Sequence, residues 1–393
     1  MPLKPLSTAL WAVLALGTLA ASATAQDRLS TMPRYDRYEK MRREIAGSVK
    51  RGDVRATWAS DSKSFTFERE AKTVRYTSET RATAEVEADS PWESEGRRPV
   101  PRGGTPARGR QFSSATSPDE KFTATYRDGN IVLKGPDGEA PLTTEGDLAK
   151  RIKFGQASWV YGEELRVREA MWFSPDSKKL AFYRFDESDV TDYFLTLDVT
   201  RIQNRLDVEA YPKAGTKNPG VALFVTDLAS NKRVAVDVTF DTGYPDVGHY
   251  VYAVRWSEDG KELLFNRTNR KQNVMEFCAA NPDTGTCRVI ARESSPESWT
   301  DNSPRIQYLA EEPGKPRRFL WTSARSGYYN LYLGDMSGAP LKPVTSNVFD
   351  LAGVERVDEA AGVVYYTARS GDTPYKAQRH RVGLDGRGDR RLT

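Results

Sequence analysis

Few residues in this 393-residue chain are placed to do chemistry. Glu163 and Glu164 stand side by side in SWVYGEEL. Two carboxylates that converge on one point can neutralise a cation and accept several of its hydrogen bonds. Neighbours on a strand point to opposite faces, so convergence requires a helical or turn backbone. Without context, an adjacent acidic pair is most often a solvated face. Cys278 and Cys287 bracket a cluster of turn formers, Asn281 to Gly285. A hairpin there sets the two cysteines opposite each other on paired strands. In an oxidising compartment that arrangement predicts a cross-strand disulfide, and in a reducing one two free thiols. His249 and His380 are the only histidines, so no metal site is expected. Both lie in strand-like contexts (GHYVYAV and QRHRVGL), which suits a structural or exposed residue better than a general base. No G-x-S-x-G is present to form a nucleophile elbow, and no Ser-His-Asp set can be read from the sequence. Phosphate-cradling glycine loops are also missing, so no cofactor is expected.

The elements that must carry these residues announce themselves by repetition. Residues 57–69 read TWASDSKSFTFER, 114–127 SATSPDEKFTATYR, 171–186 MWFSPDSKKLAFYRFD and 254–267 VRWSEDGKELLFNR. Each has an apolar strand end, a Ser-x-Asp turn with Lys, and then alternating apolar residues, which together predict a β-hairpin with one buried face. Weaker copies occur at Phe319-Leu320-Trp321 and at Val363 to Tyr366. A second phrase follows most of them: strand, Asp/Gly turn, strand, Leu-Thr, as in NIVLKGPDGEAPLTT and HRVGLDGRGDRRLT. Two hairpins per unit make a four-stranded antiparallel sheet, and units recurring at this spacing predict propeller blades. Trp58, Phe173 and Trp256, at equivalent repeat positions, are expected to pack between blades. Helical signal is confined to Arg34–Lys50. Residues 84–111, rich in Pro, Gly and Arg, break the pattern and are expected to form an exposed, flexible insertion.

The chain opens with a short basic region, an apolar run from Leu6 to about Ala21, and Ala23-Thr24-Ala25, which fits a signal-peptidase site. This predicts a signal peptide over 1–25, a helical lead-in over 26–55 and a secreted or periplasmic protein with no stable membrane anchor. Charge is close to balanced, with 58 basic and 54 acidic residues, so nucleic acid is not an expected partner.

Three phrases in fixed order, SWVYGEEL, MWFSPDSKKLAFYRFDESDVTDYFL and YPKAGTKNP, resemble the N-terminal propeller of the dipeptidyl peptidase IV group, in the prolyl oligopeptidase superfamily of serine peptidases. The similarity extends from about Ala56 to the last residue and is weakest across 70–110. It implies an all-β fold, a β-propeller of the dipeptidyl peptidase IV N-terminal type. About six blade-like units of an expected eight are counted over 56–393, after a short N-terminal helix.

In that family the phrase Trp-Val-Tyr-x-Glu-Glu presents its two carboxylates to a substrate's free N-terminus, which places Glu163 and Glu164 in that role. A peptide ammonium has three donors and a charge that is expensive to desolvate, so paired acceptors suit it. The pair also acts as a ruler, admitting only an amine two residues from the scissile bond. The usual residue before the pair is Glu, and here it is Gly162, expected to loosen the backbone. The family's carbonyl-holding Arg has its nearest candidate in Arg110, within the poorly aligned insertion.

Catalysis in the family belongs to a C-terminal α/β-hydrolase domain, of which this sequence holds no motif. The expectation is therefore an incomplete propeller, inactive alone, whose partners are peptide N-termini and a missing or separately encoded hydrolase. The alternative is a stand-alone peptide- or protein-binding propeller of the cell envelope.

Overall fold

A computed structural model of the chain describes residues 31–48, 56–59, 63–69, 72–86, 106–240, 247–373 and 375–393. The expected signal peptide, and most of the expected insertion, lie outside those residues. The chain divides into two compact units, one drawn from Met1–Ser90 with Tyr193–Glu209 and the other from Pro91–Asp192 with Ala210–Thr393.

In the first unit, helix α1 (Tyr35–Ser48) falls within the expected helical stretch. It is followed by a sheet of β1 (Thr57–Trp58), β2 (Ser64–Arg69), β3 (Lys72–Thr77) and β4 (Ala82–Glu85), joined in sequence order. The Trp58 ring packs on Phe65 with centroids 5.0 Å apart, a packing role for this repeat tryptophan.

Five sheets make up the second unit. The first holds β5 (Ser114–Thr116), β6 (Thr123–Arg127), β7 (Asn130–Gly135) and β8 (Gly138–Pro141). Next come β9 (Ile152–Phe154), the short helix α2 (Trp159–Glu163), and strands β10 (Met171–Phe173) and β11 (Lys179–Asp186). Along the chain, a two-stranded ribbon, β12 (Asp192–Leu197) with β13 (Arg205–Ala210), grouped almost wholly with the first unit, comes before β14 (Gly220–Asp227) and β15 (Arg233–Val236), which complete this sheet. The remaining sheets are β16 (His249–Trp256), β17 (Leu263–Asn269), β18 (Val274–Ala280) and β19 (Cys287–Ser294); β20 (Ile306–Tyr308), β21 (Arg318–Ser323), β22 (Asn330–Asp335) and β23 (Lys342–Pro343); and β24 (Leu351–Asp358), β25 (Val363–Ala368), β26 (Gln378–Gly383) and β27 (Arg390–Arg391). Together with the β1–β4 sheet, six antiparallel sheets of four or five strands are found among the described residues, the architecture of propeller blades.

The first repeated phrase is a hydrogen-bonded clasp. Ser174 Oγ donates to Asp176 Oδ1 at 2.6 Å, and that carboxylate also accepts the Lys178 N–H at 3.2 Å. Ser174 Oγ in turn accepts from the Lys179 N–H at 2.9 Å. Ser117/Asp119 and Ser257/Asp259 repeat this pattern, with hydroxyl-to-carboxylate distances of 2.7 Å in both. The residue after the aspartate turns through positive φ, at Gly260 (70°) and at the non-glycine Glu120 and Ser177 (61° each).

Leu-Thr recurs for an equally local reason. Thr143 Oγ1 accepts the Ile131 N–H and donates to Asn130 Oδ1, at 2.9 and 3.0 Å. Thr345 does the same with Leu331 and Asn330, and Thr393 with Arg379 and Gln378. In these three sheets one side chain thus ties the end of the sheet to the start of its third strand.

The expected single buried face per strand is corrected by the packing. In β11, Leu180 and Phe182 enter a cluster with Ala124, Ile131 and Phe154, while Ala181, Tyr183 and Phe185 enter another with Val251, Phe265 and Cys278. Leu264 and Phe277 face a third cluster with Phe319 and Trp321. β11, β17, β18 and β21 are covered on both sides because the middle sheets of the second unit stack face to face, so there alternation selects which neighbour a residue meets rather than core or solvent. Trp256 and Phe173 pack into these clusters as expected, and Trp256 Nε1 donates to the Trp172 carbonyl at 3.0 Å.

The cysteine hairpin forms, but the expected register is off by two. Cys287 faces Ala280 and Cys278 faces Val289, with a bulge between Phe277 and Cys278. Both are free thiols in this structure. They nonetheless influence each other: interaction between the two sulfurs, with Arg267 nearby, favours the Cys287 thiolate and pushes the Cys278 thiol up.

Candidate functional site

α2 lies between β9 and β10 and contains the Trp-Val-Tyr-Gly-Glu phrase. Trp159, Val160, Tyr161 and Gly162 are buried, so this helix of five residues is an anchor whose last turn delivers two carboxylates to the surface. The anchoring is specific. Tyr161 Oη accepts the Val251 N–H at 3.2 Å, and Tyr183 Oη donates to the Val251 carbonyl at 2.8 Å. Two phenols thereby fasten α2 and β11 to the first strand of the next sheet. Burial pushes the Tyr161 hydroxyl well above the ordinary tyrosine range, so it stays protonated.

Glu163 and Glu164 end the helix, as the convergence argument required. Their surroundings differ. Glu163 is half-buried and engaged by Arg108, whose Nε lies 2.7 and 2.8 Å from the two carboxylate oxygens and whose Nη2 also reaches Oε1. That hydrogen bonding holds the Glu163 carboxyl below its usual range, with Arg168 adding a weaker pull. Glu164 is exposed and accepts a hydrogen bond of 2.6 Å from Tyr211 Oη. The sites are coupled, since Arg108 also feels the Glu164 charge and Tyr211 feels that of Glu163.

Arg108 and Tyr211, which meet the acidic pair, are the residues that sequence reasoning missed. The segment carrying Arg108 is held down by Gln111, a buried side chain. Gln111 accepts the Ala157 N–H at 3.2 Å and donates to the Gly109 and Val167 carbonyls at 3.3 and 3.4 Å. Residues 106–111, at the end of the expected flexible insertion, are therefore part of the site.

This also corrects the reading of Gly162. A Cβ there would stand 2.3 Å from the Gly109 carbonyl oxygen, and a Cβ on Gly109 would stand 2.2 Å from the Trp159 ring. Gly109 has φ of +72°, a conformation that glycine adopts without strain. The two glycines let the Arg108 segment cross directly over α2, so Gly162 is pinned rather than loosened.

Tyr211, first residue of YPKAGTKNP, is oriented from two sides. Its ring meets Trp159 edge-on with centroids 5.5 Å apart. Arg270 donates to the carbonyls of the next two residues, Pro212 (3.4 Å) and Lys213 (3.0 Å), and to Tyr250 Oη.

Residues 54–393 match the family model described as the dipeptidyl peptidase IV (DPP IV) N-terminal region. The chain belongs to this family. Among curated relatives of this dipeptidyl peptidase IV N-terminal region, a probable dipeptidyl-aminopeptidase B of Aspergillus clavatus is 28% identical over 298 residues, covering 71% of the chain and 32% of the relative. The dipeptidyl peptidase 4 of Arthroderma otae is 28% identical over 251 residues, covering 62% and 32%. The chain thus spans about a third of the length of these relatives. The crystal structure of Porphyromonas gingivalis dipeptidyl peptidase 4 shares the fold, with a TM-score of 0.58 at 23% identity over 89% of this chain and 47% of that one.

His380 brings together a second constellation. Its Nε2 lies 2.7 Å from Ser370 Oγ, and its Nδ1 3.9 Å from Asp389, which also accepts from Tyr366 Oη at 2.7 and 2.8 Å. Despite the Ser-His-Asp composition this is a fastening of the last sheet. Ser370 and His380 are 6% and 5% exposed, which seals the hydroxyl from any substrate, and the Asp389 contact is too long for a hydrogen bond. His249 is half-buried at the start of β16, and burial lowers its basicity. No cluster of three His, Cys, Asp or Glu suited to a metal occurs among the described residues. No helix among them is long and apolar enough to cross a membrane.

Proposed function

We propose that this chain is the substrate-gripping propeller of an exported, dipeptidyl aminopeptidase-like serine peptidase, with Glu163 and Glu164 as the anchor for a substrate's free N-terminus. The observation that carries this reading is the end of α2, where buried Trp159, Val160 and Tyr161 hold two carboxylates at the protein surface. An ammonium between them has its charge balanced and its three N–H groups accepted. Arg108 fixes both oxygens of Glu163 and keeps that carboxylate oriented while leaving lone pairs on it available. The pair then measures two residues from the amine to the bond that is cut. The cut itself is assigned to an α/β-hydrolase domain with a Ser-His-Asp triad, because these 393 residues contain no G-x-S-x-G.

The test is binding of alanyl-proline amide to the full chain, compared with its N-acetyl form. The free amine should bind more tightly. Changing both Glu163 and Glu164 to Gln should weaken it by at least about tenfold, the worth of one charge-assisted hydrogen bond, without shifting the melting temperature. Equal binding by wild type and the double variant would sink the amine-anchor reading.

Export implies an oxidising compartment, and we propose that Cys278 and Cys287 are joined there. Exchange with oxidised glutathione would form the Sγ–Sγ bond and release two molecules of reduced glutathione. The product should be a chain lighter by two hydrogens, with neither cysteine open to alkylation after unfolding. A persistent glutathione adduct, or two alkylatable thiols, would reject the pairing.

A further inference from the structure

Glu163 and Glu164 have partners of different charge. Glu163 has both oxygens on the Arg108 guanidinium, with Arg168 acting on it at longer range, so its charge is already balanced. Among the described residues no Lys, Arg or His lies within 4.0 Å of Glu164, whose hydrogen-bond partner is the neutral phenol of Tyr211. A neutral donor can fix a carboxylate without cancelling its charge. A substrate ammonium brings one positive charge, and Glu164 offers a negative charge that no cation among the described residues pairs directly.

We propose that Tyr211 is a positioning residue of the amine site, holding Glu164 as the arm that supplies the unbalanced negative charge. This rests on the amine-anchor reading above. An exposed glutamate samples many rotamers, and confining it before binding removes an ordering cost worth about tenfold in affinity. Tyr211 can impose that order because it is itself held. Trp159 packs edge-on against the ring, and Arg270 bridges the backbone of Pro212 and Lys213 to Tyr250. Burial, followed by the Glu164 charge, raises the phenol's pKa, so the hydroxyl remains a donor throughout the range in which a peptide amine is protonated. The first residue of the YPKAGTKNP phrase thereby aims a carboxylate that lies 47 residues earlier in the chain.

The competing account is that Tyr211 merely packs on Trp159, and Tyr211→Phe separates the two because it keeps the ring and removes the hydroxyl. Calorimetric titration of the full chain with alanyl-proline amide and its N-acetyl form gives the preference for the free amine. Tyr211→Phe should reduce that preference about tenfold while N-acetyl binding and the melting temperature stay unchanged. Added to Glu164→Gln, it should cost nothing more, because the two changes break one interaction. Ring-labelled tyrosine NMR supplies a readout that packing alone would not move. One resonance, absent in Tyr211→Phe, should titrate at lower pH in Glu164→Gln than in wild type. If wild type prefers the free amine and Tyr211→Phe retains the full preference, the positioning role is overturned and the amine site stands. If wild type shows no preference for the free amine, the amine-anchor reading fails and this inference fails with it.

Discussion

The aspartates of the repeated turns and the glutamates of α2 are all surface carboxylates with hydrogen-bond donors around them, but those donors come from different distances along the chain. Asp119, Asp176 and Asp259 each accept from a serine two residues before and a backbone N–H two residues after. Glu163 is met by Arg108, 55 residues away, and Glu164 by Tyr211, 47 residues away. A carboxylate satisfied inside its own turn forms with that turn and can be copied from blade to blade. A carboxylate satisfied from afar exists as a site only when three separate segments have been brought together. The first kind builds the propeller, and the second distinguishes this blade from the others.

That contrast is broken most severely at the crossing of residues 109 and 162. Gly162→Ala places a methyl group where the Gly109 carbonyl stands, and the obstacle is backbone rather than a flexible side-chain tip. The helix gains a better helix former, worth about 1 kcal/mol, but overpacking of this kind costs about 1–3 kcal/mol and must lift one segment off the other. Urea unfolding should show a net loss, and the Arg108–Glu163 contact should weaken with it. An unchanged midpoint together with unchanged amine binding would mean that the crossing has more room than its geometry indicates. Arg108→Gln is the milder version, since its side chain is 80% exposed and an ion pair screened by solvent in that way contributes little to stability. Its contribution lies in orienting Glu163.

How much of this was legible follows the same division. The Ser-x-Asp clasp and the Leu-Thr tie repeat in the sequence because their bonds close over a few residues or along adjoining strands, so both the hairpins and the blade count could be read. The acidic pair drew notice through the resemblance carried by Trp159-Val160-Tyr161 and the phrases after it, and the structure shows those three residues as its buried anchor. Its partners left no such trace. Arg108 sits in a segment whose Pro, Gly and Arg content reads as disorder, and only the fold shows Gln111 stapling that segment to both sides of α2. Register was lost at the turn itself: the hairpin closes with Ala280 opposite Cys287, so the strand runs two residues past Cys278 before it turns, and the bulge beyond Cys278 plays no part in the offset.

The smallest expected effects belong to the turns, and they sharpen the contrast through pH. Hydrogen bonding from the preceding serine lowers the Asp119 pKa from 3.8 to about 2, and Asp176 and Asp259 are shifted the same way by Ser174 and Ser257. Because the folded values lie below the unfolded one, these carboxylates stabilise the fold fully above 3.8, and the contribution disappears as pH falls towards about 2. Asp176→Ala at neutral pH should cost about 1 kcal/mol, the worth of the bonds it removes from one turn. Asp176→Asn keeps an acceptor but removes the titration, so its urea midpoint should fall less than that of wild type over the acid range. The decisive comparison is with Glu164→Gln, which should leave the turns and their acid limb untouched while removing the preference for a free amine. If Asp176→Asn altered amine binding, or Glu164→Gln altered the acid limb, the separation of locally and distantly satisfied carboxylates would not hold.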